Sequence, residues 1–158
     1  MKVTRRAVNQ GNLNLLEDTA FMGQPQTLAG DWIDQATEVA DDLAIVALWA
    51  WFERYLIEFT QTMVVIASPS PADFAEHLQV RITKEIERWP ADSLLDLFKS
   101  VIDANKIGIA KQIKDYRDWI AHRNVNRRPP AKTEPANAYS LLLAIIDAVE
   151  RTFPVEQP

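Results

Sequence analysis

LAIVALWAWFERYLIEFTQTMVVIA, Leu43 to Ala67, is the most apolar stretch of the chain, and it admits two readings: a membrane span or a buried helix. Glu53, Arg54 and Glu58 stand at its centre, where a span of roughly 20 uninterrupted apolar residues would carry no charge. The apolar positions settle the matter. Ile45, Leu48/Trp49, Phe52, Tyr55/Leu56, Phe59, Met63 and Ile66 recur every three or four residues, the repeat of a helix with one face in a core. Arg54 and Glu58 are one turn apart and form an ordinary i,i+4 pair, although Glu53 and Arg54 could also reach toward a cleft.

The helical signal begins at Asp31, and Asp41-Asp42 marks a junction between a first helix and the central one. Ser68-Pro69-Ser70-Pro71 ends the central helix, because proline withholds a backbone donor and disfavours helical geometry in the residue before it. A helix over roughly 71–89 follows. Pro90 breaks it, and Asp92 or Ser93 caps a short helix through Ile102. The next helix runs from Asn105 or Lys106 to His122, with Ile109, Ile113, Tyr116 and Ile120 as its buried face. Pro129-Pro130 holds 123–135 as a loop, and a last helix covers about 136–153. Residues 1–30 show no sustained period and read as loop around a short helix near Asn14–Met22. The predicted class is all-α, a bundle of four to five main helices, with an N-terminal extension over 1–30, a helical domain over 31–153 and a tail over 154–158.

The composition agrees with one soluble domain. The chain has 158 residues, 47% hydrophobic and 25% charged, and its four glycines suit helices better than hairpins. With no cysteine, thiol nucleophiles, zinc fingers and disulfides are excluded; with two histidines, a histidine-rich metal site is not expected, and no cofactor is implied. The basic start lacks the apolar core of a signal peptide, so a cytoplasmic location is expected, with no membrane association. The formal charge is −5, yet Trp119 to Thr133 holds Arg123, Arg127, Arg128 and Lys132 and no acid. Those cations could track a phosphate backbone or form a solvated loop.

They follow directly on YRDWIAHRN, Tyr116 to Asn124. On a helical wheel with Ile113 at 0°, Tyr116 falls at about 300° and Ile120 at about 340°, the core side, while Asp118 lies near 140°, His122 near 180° and Asp115 near 200°. His122 therefore faces away from its own core. Asp118, one turn earlier, is placed to orient an imidazole that works as a general acid or base near neutral pH. Arg117 is a planar cation suited to phosphate, but about 140° of helix separates it from His122. Their convergence would need fraying of the helix end or a second chain across a two-fold axis. The plain alternative is a charged helix end, with His122 and Arg123 easing the dipole. His77 reads as a surface histidine.

RDWIAH, Arg117 to His122, resembles the R-x4-6-H signature of the HEPN superfamily, with Asp118 in the polar place after the arginine and the motif on the penultimate long helix. LWAWFERYL, Leu48 to Leu56, is similar to the central helix of some HEPN branches. The resemblance implies a homodimer in which two motifs line one cleft, and in many members a metal-independent endoribonuclease of toxin–antitoxin or defence systems. Carried over, Arg117 would bind the scissile phosphate, His122 would be the acid/base and Asp118 its orienter. Arg123, Asn124, Arg127, Arg128 and Lys132 would contact RNA. One toxin branch has a tyrosine two residues after the histidine, where its antitoxin acts; Asn124 stands there, so that antitoxin does not follow, and the regulatory partner is open. The alternative is a non-catalytic HEPN-like module binding nucleotide, RNA or a protein partner; a helical interaction protein unrelated to HEPN is a third reading.

Overall fold

The computed structural model describes residues 2–67, 73–122 and 128–154, and among them every regular element is a helix. In chain order these are α1 (Lys2–Gln10), α2 (Leu13–Leu16), α3 (Gln26–Ala67), α4 (Asp73–Ile86), α5 (Ala91–Leu97), α6 (Ala104–His122) and α7 (Pro135–Thr152). The all-α class holds, with seven helices among the described residues. The backbone divides into two compact units, Met1–Ala44 and Ile45–Pro158.

In the first unit, Ala7 and Val8 of α1 and Leu16 of α2 pack with Ala29 and Ile33 into a small core joined by Phe21. Gly11 ends α1 with φ +61°. Its N–H donates to the Val8 carbonyl (3.2 Å) and that of Asn12 to the Ala7 carbonyl (3.0 Å), the paired bonds of a Schellman cap that only a left-handed residue closes cheaply. The loop expected before Asn14 is therefore a helix. Only two of its residues are buried, too few to show a period, and its stability comes from packing rather than pattern.

The junction expected at Asp41-Asp42 is absent: α3 runs unbroken through it. Aspartate in mid-helix costs only a fraction of a kcal/mol, whereas a true break needs glycine or proline (about 1 and 3 kcal/mol).

The second unit is built on the spacing read from the sequence. Ile45, Trp49, Phe52 and Leu56 of α3 pack with Leu94 and Leu95 of α5, Ile113 and Tyr116 of α6, and Leu142, Ile145 and Val149 of α7. Thr60, the buried polar residue of this stretch, donates its hydroxyl to the Leu56 carbonyl at 2.7 Å. The stripe fades beyond Phe59, and Ile66 is exposed. Asp92 does not cap α5, whose N-cap position is Pro90. Asp103 caps α6 instead, accepting from the Asn105 N–H at 2.9 Å, and Pro135 opens α7 where its missing donor is harmless. On α6, Ile109 is half exposed, and Ile107 and Ala110 are buried in its place. Burial there depends on what stands opposite the helix, which a wheel does not contain. Among the described residues no helix is long and apolar enough to cross a membrane.

Candidate functional site

The face of α6 turned away from the core is a continuous row of polar groups, because Lys114, Asp118 and His122 follow one another at one-turn spacings and Asp115 precedes Asp118 by three residues. Together with Trp119 of the same helix and Arg128 and Pro130 of the following loop, they wall a cleft of about 470 Å³. His122 is the last residue of α6 and is exposed.

Ion pairing organises the floor. Lys114 Nζ lies 3.2 Å from Asp118 Oδ2 and 3.7 Å from both Asp92 Oδ2 and Asp115 Oδ1. Burial works against the charge on this lysine, but the hydrogen bond to Asp118 and the charges of Asp118, Asp92 and Asp115 outweigh it, so its pKa stands above the usual 10.5. A raised pKa means that the stabilisation is complete below 10.5 and is lost as pH climbs through the folded value. Lys114→Met is therefore expected to lose about 1–2 kcal/mol at neutral pH in urea denaturation, the gap from wild type closing in strong alkali. A gap that stays constant with pH would assign Lys114 to packing instead.

Arg117 behaves differently from the other motif residues. Its Nη2 donates to Glu53 Oε2 of α3 at 3.1 Å, its Nη1 lies 2.9 Å from Asp118 Oδ1, and its Cζ stands 5.6 Å above the centre of the Trp49 ring. The guanidinium is thus held on two edges and one face, a geometry suited to a planar cation. Among the described residues no acceptor reaches its buried Nε, nor the buried indole N–H of Trp49. Arg54, as its spacing suggested, pairs with Glu58 at 2.7 Å, leaving Glu53 to Arg117.

The structure brings Asp118, His122 and Arg128 to one cleft. Arg117 is next to it but not among its walls. Asp118 gives its two oxygens to Arg117 and Lys114, and among the described residues no hydrogen bond joins it to His122. Lys132 is exposed and does not line the cleft, while Arg123, Asn124 and Arg127 lie outside the described residues. His77 is exposed, as expected. Among the described residues no group of three or more His, Asp or Glu side chains is arranged to hold a metal ion.

Lys114, Asp115 and Trp119 were not singled out in the sequence as site residues. The signal was present: Asp115 falls at nearly the same wheel angle as His122, Lys114 precedes Asp118 by one turn, and Trp119 follows Asp115 by one turn. The link between Glu53 and Arg117, 64 residues apart, left no local trace. No protein-family model, no curated protein and no solved structure matches the chain.

Proposed function

We propose that this protein is an HEPN-like endoribonuclease that cuts RNA by attack of a ribose 2′-hydroxyl on the adjacent phosphate, two copies of the chain facing each other across the site. The observation that carries the reading is the cleft at the end of α6, where an exposed imidazole, two cations and an aromatic ring share one hollow. His122 takes the proton of the 2′-hydroxyl, the freed oxygen forms a bond to phosphorus, and the 5′-oxygen leaves with a proton returned by an imidazolium. The products are a 2′,3′-cyclic phosphate and a 5′-hydroxyl. DNA lacks the internal nucleophile and is spared. Lys114 and Arg128 supply positive charge for the phosphate, helped by the basic stretch of sequence that follows α6. A phosphate role for Arg117 requires its guanidinium to trade Asp118 for substrate. A toxin or defence role, restrained by an antitoxin or another regulatory protein, belongs to the same reading.

The purified protein is expected to cleave single-stranded RNA in EDTA, leaving cyclic phosphate ends, with cleavage lost in Arg117→Ala. No cyclic phosphate from any RNA, or an Arg117→Ala variant as fast as wild type, would sink the proposal. A second reading, a non-catalytic module that binds nucleotide, RNA or a protein partner, is favoured by one observation: Arg117 is committed to Glu53 and Asp118. It predicts binding without turnover.

A further inference from the structure

We infer that the cleft seats one unstacked guanine base, its ring against Trp119 and its Watson–Crick edge on the carboxylate of Asp115. The inference rests on reading the cleft as an RNA site, and it names the base taken there.

Three observations support it. The cleft, at about 470 Å³, has the capacity of a small-molecule site and is larger than a bare phosphate requires. Trp119 lines it, and its plane is set in advance by Tyr116, whose buried ring stacks on it at 6.0 Å between centroids and 15° between planes. An indole held in place beside cations is how proteins hold bases that have left a stack. The third observation separates the two carboxylates of the cleft. Both oxygens of Asp118 are engaged, by Arg117 at 2.9 Å and Lys114 at 3.2 Å. Asp115 has only the long 3.7 Å contact to Lys114, its side chain is 63% exposed, and it stands one turn from Trp119 on the same face.

A free carboxylate only accepts hydrogen bonds, so it selects for a base edge made of donors. Guanine places N1–H and the N2 amino group side by side, matching the two oxygens of one carboxylate. Adenine and cytosine set their single amino group beside an acceptor nitrogen, which a carboxylate repels. Uracil offers one N–H between two carbonyls. Asp115 therefore favours guanine over the other three, and Arg128, the cleft cation outside the Lys114 ion-pair cluster, faces that nucleotide's phosphate.

Titration calorimetry of the full chain with 3′-guanylate and 3′-uridylate tests this without any cleavage step. Wild type is expected to bind the guanylate roughly tenfold more tightly. Asp115→Asn should bring the two affinities together, and Trp119→Ala should weaken both by roughly tenfold, with Trp119→Phe keeping most of the loss from appearing. Equal affinities in wild type, no binding of either nucleotide, or a preference that survives Asp115→Asn would overturn the inference, as would a Trp119→Ala variant that binds as wild type does. Should Trp119→Ala not fold, the exposed Asp115→Asn variant still decides. Selective guanylate binding by a protein that cuts no RNA would keep this inference and sink the ribonuclease reading; cleavage without base preference would do the reverse.

Discussion

Replacing His122 with alanine is expected to slow RNA cleavage by roughly 10²–10⁴-fold, the range that removal of a positioned general acid or base produces. His122 and His77 are the two histidines of the chain, and only His122 lines the cleft, so no other imidazole is at hand to move a proton near neutral pH. Its removal should leave the fold almost intact, since the side chain is exposed at the last residue of α6 and its favourable term with the helix dipole is at most about 1 kcal/mol. Single-turnover rates on one RNA, beside urea denaturation of the same preparations, separate the two effects. A variant that cleaves at the wild-type rate would remove His122 from the chemistry.

Phe52→Ala acts at the opposite extreme, on stability alone. Phe52 is wholly buried, with its ring tilted 60° to that of Trp49 at 5.5 Å, in the part of α3 that α5, α6 and α7 all pack against. Truncation removes a large apolar surface and leaves a cavity that its neighbours refill only in part, a loss of about 3–5 kcal/mol. Against a total near 5–15 kcal/mol for a domain, that removes from about a fifth to all of the stability. The urea midpoint should fall with its slope unchanged. A loss below about 1 kcal/mol would show that the site collapses around the smaller side chain.

The chain announces its fold where burial is one-sided and sustained. Ile45, Trp49, Phe52 and Leu56 could be placed on one face from spacing alone, and so could Ile113 and Tyr116. It is silent where burial is brief: Ala7 and Val8 hold α1 in place without making a repeat. It misleads where a local signal is too weak, as at Asp41-Asp42, whose cost in mid-helix is small, and where it competes with tertiary packing, as at Ile109. The candidate site divides the same way. That Asp118 and His122 turn from the core is a property of one helix and was readable. Where Arg117 points is decided by Glu53 and Trp49, side chains brought near it only by folding.

That placement of Arg117 bears on which residue can occupy the position at all. Positive charge by itself is not what the surroundings require. Two separate N–H edges meet Glu53 and Asp118, while a flat delocalised face rests on Trp49. Lysine brings the same charge as a single compact, strongly hydrated ammonium, with neither a second edge nor a face. Arg117 and lysine are therefore not interchangeable: with lysine, one of the two carboxylates would lose its guanidinium partner and the indole would lose its cover. The position is specified by shape as much as by sign.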